Sequence, residues 1–515
     1  MTPGEALVSL RAVNLYTPSA IPGGAGGDAE AIYLRGGDVA RIGLLSFSDG
    51  RAYVHEGIAS FVAGVEKQLV AELQRQGHEV RAAEVPITSN EVAVSEARRL
   101  AAERPDLVIF NYPVWAFPHF SMHAAEQLRG PLLLFSNIDP AYPGMVAMLA
   151  AGGSLDQIGR RHLRAWGDIA DAGISARVGT VARAAQATGR LSGLTFGRFG
   201  GRSMGMYTAV ARTDEWMAKF GIDVEEIDQW EIVRRSDLVE AGRVRAARAW
   251  LERHCAGVHY DGKQLTPELL ERQIRSYYAL RELIEEWHID FSGIKGQPEL
   301  TSHFVTTDIA EAFLNDPYDF DGPKQTHVCA TEVDMDGALT MQILKSLTGT
   351  PVLFADVRHY FADRGIWDLE NSGQHATWFA ARSDDPAENL ARVHLYPEEF
   401  YFPAGGASVH HLAAEGDATF ARLSRRDGRY RLQAATGRFV QFDPDTNEAL
   451  MRASTYVWPH AFTRLDASAE DFLARFGANH IHAVPGDVLE ELELVCAFLD
   501  VDFDRLAPAC APERT

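Results

Sequence analysis

A chain of 515 residues is too long for one hydrophobic core, and at roughly 100–200 residues per domain it should hold about three. With 46% apolar and 23% charged residues it has ordinary globular composition, which excludes a disordered or fibrous protein. A net charge of −22 argues against nucleic acid or an anionic membrane surface as the main partner, and no apolar run is long enough to span a bilayer.

The cysteines at 255, 329, 496 and 510 form no CxxC pair, so they read as reduced thiols rather than a zinc ribbon or a disulfide framework. The opening residues show no basic segment followed by an apolar one, and a cytoplasmic protein is expected.

In chain order, residues 1–35 are a Gly/Pro-rich extension around "PSAIPGGAGGDAEA". "VARIGLLSFSDG" is expected to be a strand ending in a turn. "ASFVAGVEKQLVAELQRQGHEV" has the three-and-four apolar spacing of an amphipathic helix. "DLVIFNYPVW" and "GPLLLFSNID" are expected to be further buried strands. Strands alternating with helices predict a parallel sheet covered on both faces, which fills a first domain over 36–172. The pattern restarts in a second α/β domain over 173–346. "SGLTFGRFGGRSMGMYTAV" there predicts a strand, a glycine-rich turn and a helix start, and "FSGIKGQPEL" and "QTHVCATEVD" predict strand ends. From 347 to 515, short alternating runs such as "ATFARLSRRDGRYRLQAATGRFVQF" predict antiparallel β structure, barrel-like in form.

The turn "GRFGGRSMG" lacks the GxG spacing of a dinucleotide fingerprint, so it reads as a tight turn near a domain interface rather than a phosphate cradle. Glu332 in "QTHVCATEVD" and Asp356 in "TPVLFADV" would each stand at a strand's carboxyl end, where open α/β sheets bind ligands. With the histidine-containing "FGANHIHAVPGD" they permit a site of two carboxylates and one imidazole, which suits Mn²⁺ or Mg²⁺ more than Zn²⁺. Spacing alone leaves this beside a plainer reading, that surface acids often follow strands.

"ATEVD", "FADVR" and "GANH", in this order and separation, resemble the L-fucose isomerase family. "IGLLSFSDGR", "GGRSMGM", "GQPELTSHF", "NSGQ", "YFPAGG" and "YVWPHAF" are similar to further landmarks of that family. The resemblance implies two Rossmann-like domains followed by a C-terminal domain containing a β-barrel. It implies a homohexamer in which the first domain completes a neighbour's site, and a Mn²⁺ cofactor, with Mg²⁺ or Co²⁺ as alternatives. Carried over by motif, the metal ligands are Glu332, Asp356 and His480, the first two also being the catalytic acid–base pair. The sugar contacts implied are Arg51, Trp115, Gln297, Tyr401, Trp458 and Asn479. The residues after His480 and the "PAGG" segment depart from the family pattern, which leaves the substrate sugar open.

Such a site would interconvert an aldose and a ketose of the L-fucose/D-arabinose type through an enediol. A metal would polarise the carbonyl and a carboxylate would move the proton between C2 and C1. His482 is two residues beyond His480 and reads equally as a support for it or as a solvated side chain. Trp115, Tyr401 and Trp458 read either as sugar-packing aromatics or as ordinary core. The rival readings are an enzyme of the L-arabinose isomerase type and a non-catalytic sugar-binding regulator. Asp356 and "GANH" favour the fucose type, and the full ligand set weighs against a mere binder.

Overall fold

The structure is a computed structural model that describes residues 39–372 and 374–506. The N-terminal extension and Cys510 lie outside the described residues. The chain falls into two compact units that divide between Gly179 and Thr180.

In the first unit, five parallel strands form one sheet: β1 (Arg41–Ser46), β2 (Glu79–Ala82), β3 (Leu107–Asn111), β4 (Leu132–Ser136) and β5 (Leu163–Trp166). Their order is β2-β1-β3-β4-β5. β3 and β4 are buried along their whole length, as strands covered on both faces must be. Helix α1 (Ala52–Arg75) turns Val62, Val65, Leu69 and Leu73 inward at helical spacing. Helix α2 (Asn90–Ala102) starts where the Ser89 hydroxyl accepts the Val92 amide at 3.2 Å. The strand order reverses at β1 and β3, so a crevice is expected beyond their carboxyl ends.

The second unit holds a four-stranded parallel sheet of β6 (Thr195–Phe199), β7 (Asp223–Ile227), β8 (Phe291–Ile294) and β9 (Cys329–Thr331), ordered β9-β8-β6-β7. Gly293 in β8 lies so close to the chain after β9 that a Cβ would meet Val333 Cα at 3.0 Å. The glycine-rich turn after β6 differs from expectation. No helix starts within "GGRSMGMYTAV"; the chain continues in turns, and the next helix begins at Thr213.

Helix α3 (Met335–Thr348) leads into a seven-stranded sheet. Its strands are β10 (Leu353–Phe361), β11 (Ile366–Glu370), β12 (Gly416–Arg426), β13 (Arg429–Phe439), β14 (His460–Leu465), β15 (His480–Pro485) and β16 (Asp502–Arg505). The order is β12-β15-β10-β11-β14-β13-β16, antiparallel except for the β13–β16 pair, and β12 also pairs with β13. The core of this sheet gathers Leu353, Ala355, Leu369, Phe420, Phe439, Ala461 and Ile481. A small sheet joins Gly257–Val258, His394–Pro397 and Ala407–His410, and Tyr401 lies in the loop between the last two. The chain is thus mixed α/β, with parallel sheets first and a mostly antiparallel sheet last. Among the described residues, no helix is long and apolar enough to cross a membrane.

Candidate metal and sugar site

β9 ends at Thr331, and Glu332 follows at once. Glu332 and Val333 both adopt left-handed backbone, with φ of 58° and 53°. For side-chain-bearing residues this costs on the order of 1–3 kcal/mol each and persists only where the surroundings impose it. The restraints are visible. The Val333 amide donates to the Ile294 carbonyl and the Asp334 amide to that of Thr331, both at 3.1 Å. Asp334 then caps α3, accepting the Gly337 amide at 2.9 Å.

Asp356 differs from its sequence reading. It lies within β10, not at a strand's carboxyl end, and is in register with His480 of β15 on one side and Glu370 of β11 on the other. A short apolar run before an acid cannot tell a parallel strand that stops from an antiparallel one that continues. Pairing with β15 brings His480 to Asp356, while the turn after β9 brings Glu332. His480 Nε2 lies 3.1 Å from Glu332 Oε2 and 3.4 Å from Asp356 Oδ1, neither in hydrogen-bond geometry.

The other ring nitrogen of His480 meets Asp334 Oδ2 at 2.6 Å. Asp334 is fully buried and takes two bonds from the fully buried Arg422 guanidinium, that from Nη2 to Oδ1 at 3.0 Å. Burial works against the Asp334 carboxylate, but the charge of Arg422 and the bond to His480 hold it well below the usual carboxylate range. Burial likewise opposes a charged His480, yet its bond to Asp334 and the close carboxylates of Glu332 and Asp356 raise it to about 10. A carboxylate behind a ring nitrogen is the usual way to fix the tautomer of a metal-ligating histidine. Burial raises Asp356, as does the charge of Glu332, while His480 and the amides of Asn371 and Asn479 pull it down. His482 is buried, not solvated. It sits 3.3 Å from Arg422 Nη1, with Phe354 packed on its ring and on that of His480.

Two carboxylates and an imidazole that converge on one nitrogen fit a divalent ion with mixed oxygen and nitrogen donors. The free Nε2 face is the observation that matters: a buried ring nitrogen beside two carboxylate oxygens, with no hydrogen bond of its own.

Of the expected sugar contacts, Asn479 adjoins this group, donating to Asp356 Oδ1 at 3.2 Å. Gln297 lies beyond the carboxyl end of β8, next to β9, and its carbonyl accepts from the Ser203 hydroxyl at 3.1 Å. Tyr401 is 52% exposed and lines a cavity of about 400 Å³ with Arg358, Glu399, Phe400 and Ser454. Trp458 is nearly buried; its indole N–H donates to Glu398 at 3.1 Å, and Arg358 lies 5.3 Å from its ring centre. In the first unit, Arg51 heads α1 just after β1 and is bound to Asp49. Trp115 follows β3, half-buried on that unit's core. Gly50 packs against Phe117, whose ring lies 6.3 Å from that of Trp115, so the two segments adjoin at the reversal of strand order.

Sequence reasoning missed Asp334, Arg422, Asn371 and Arg358. Asp334 stands two residues from Glu332, and that spacing was a usable signal. Arg422 comes from a strand 88 positions away from Asp334, with no local mark of its role. Asn371 donates to Asp356 Oδ2 at 2.9 Å because β11 turns back beside β10.

Three family models match the chain: the first N-terminal domain of L-fucose isomerase over 39–193, its second N-terminal domain over 284–349 and its C-terminal domain over 369–506. Among curated relatives, the L-fucose isomerase of Streptococcus pneumoniae (strain JJA) is 26% identical over 464 residues, covering 76% of this chain and 78% of its own length. That of Escherichia coli (strain SE11) is 24% identical over 523 residues, covering 85% of this chain and 88% of its own. With all three domains matched in order over most of its length, the chain belongs to the L-fucose isomerase family and is an enzyme of the aldose–ketose isomerase class.

Proposed function

We infer that the protein isomerises an L-fucose- or D-arabinose-like aldose to its ketose at a metal site made by Glu332, Asp356 and His480. The observation that carries this is the convergence of both carboxylates on His480 Nε2. A Mn²⁺ ion, or Mg²⁺ or Co²⁺ in its place, would supply the positive charge that polarises the sugar carbonyl and steadies the enediol's negative charge. Asp334 keeps His480 in one tautomer, with Nε2 turned to the carboxylates. Glu332 and Asp356 act as base and acid, one taking the proton from C2 and returning it at C1 while the O2 hydroxyl proton passes to O1. Burial and the neighbouring charge raise Asp356, which suits a group that must both accept and release a proton. Asn371 and Asn479 hold its two oxygens in place. Gln297 and Asn479 would bind sugar hydroxyls, and Tyr401 and Trp458 the apolar C–H face.

The same reading places Arg51 and Trp115 of one subunit at the site of a neighbour in a homohexamer, in the cytoplasm. It takes the first domain as 36–172, the second as 173–346 and the C-terminal domain as 347–515. The pairing of β12 with β13 supports a barrel in the last of these. The L-arabinose isomerase type is the rival substrate reading to be tested.

The test is ketose formation from a panel of aldoses by chelator-treated protein, with and without added Mn²⁺. Turnover of L-fucose or D-arabinose that depends on the ion is expected. Activity confined to L-arabinose, or tight sugar binding without turnover, would overturn the reading.

A further inference from the structure

We propose a second, separate divalent-cation site formed by Asp368, Glu370 and His460. All three side chains are fully buried. Asp368 and Glu370 alternate along β11, and His460 opens β14 in register with Glu370. His460 Nδ1 lies 3.1 Å from each oxygen of Asp368 and 3.2 Å from Glu370 Oε2. Their ligand atoms lie within 4.8 Å of one another. Among the described residues, this trio, not the group around Glu332, is the one that meets so tight a mutual limit.

A single ring N–H cannot satisfy three oxygens at once. Glu370 Oε2 has no hydrogen-bond donor, although it is buried. The Arg358 Nε at 2.9 Å and the Ser454 hydroxyl at 2.6 Å both go to Glu370 Oε1, which leaves Oε2 facing the ring. Asp368 has no charged partner but His460 among the described residues. An ion about 2.0–2.6 Å from each donor would set neighbouring donors roughly 3–3.5 Å apart, the spacing seen here. Two carboxylates and one imidazole suit Mn²⁺.

His480, Asp356, Glu370 and His460 form one register row across β15, β10, β11 and β14. Two strand spacings, about 10 Å, would separate the two ions. The second ion would therefore brace the strand that faces Asp356 rather than share a substrate atom. Arg358 and Ser454, which bond Glu370, line the cavity beside Tyr401 and mark the route of entry.

The test counts Mn²⁺ ions retained per chain by elemental analysis after chelation, reloading and desalting. Two are expected for the wild type. The Glu332→Gln/Asp356→Asn variant should keep one, and Asp368→Asn should lose one while keeping the other. If Asp368→Asn does not fold, the first two counts decide alone. One ion in the wild type and none in Glu332→Gln/Asp356→Asn would overturn the second site. One ion that survives in that variant and is lost in Asp368→Asn would uphold it and remove the site at His480 instead.

Discussion

Replacing Asp334 by Asn should have two separable effects. Asp334 is buried between Arg422, which binds both its oxygens, and His480, and it also caps α3. Asn is itself a good helix cap, so that contribution largely survives. The Arg422 charge does not lose its burial when its partner becomes neutral. Breaking a buried pair from one side costs about 3–5 kcal/mol, so Asp334→Asn should lose that much stability in urea unfolding. The loss of the carboxylate behind His480 should also weaken Mn²⁺ binding about 10–100-fold. Adding Arg422→Met removes the stranded charge and should restore most of the stability, because an apolar replacement of a whole buried pair is often neutral. It should restore none of the metal affinity. A single Asp334→Asn variant with stability within about 1 kcal/mol of wild type and unchanged affinity would refute the reasoning. So would a double variant that regained affinity.

Asp356→Asn and Glu332→Gln should each cut turnover at least ~10²–10⁴-fold, measured as ketose formation, with little change in unfolding midpoint. Glu311 gives a pH prediction. Burial pushes its carboxyl up to about 8 and the charge of Glu332 adds to this, against hydrogen bonds from Thr307 and Thr331. The folded state then holds a proton that the unfolded state has released, from about pH 4.3 up to the folded value. Stability should fall as pH rises through that window, by at most ~1.4 kcal/mol per unit, and Glu311→Gln should flatten the slope in urea titrations at several pH values. Mixing inactive Asp356→Asn subunits with inactive Arg51→Ala subunits should regain activity if Arg51 completes a neighbour's site; no regain in a confirmed mixed oligomer would speak against it.

The first unit was the most legible part of the sequence. "DLVIFNYPVW" and "GPLLLFSNID" are continuous apolar runs because both faces of a parallel sheet are covered, and both become strands. The position of Glu332 just past a strand was legible for the same reason, and it follows β9 directly. Asp356 was expected at a strand's carboxyl end, and that placement is incorrect. Its position within β10 depends on pairing with β15, more than a hundred residues away, which local pattern does not encode. Arg422 was hidden by the same distance, and so were the partners of Asp334 and His482. Their roles come from charges that meet only after β12, β15 and α3 pack together. The glycines of "GGRSMGM" promised a helix entry, but Gly200, Met204 and Gly205 take up left-handed turns instead.

The central claim is proton transfer between C2 and C1 by carboxylates at a metal site. It is tested most directly by running the reaction in D₂O with Mn²⁺ and following the ketose C1 position by NMR. The account predicts deuterium at C1, or proton return from C2 by a carboxylate that exchanges only partly, and loss of both product and label in Glu332→Gln and Asp356→Asn. Ketose formed at wild-type rate by either variant would contradict it.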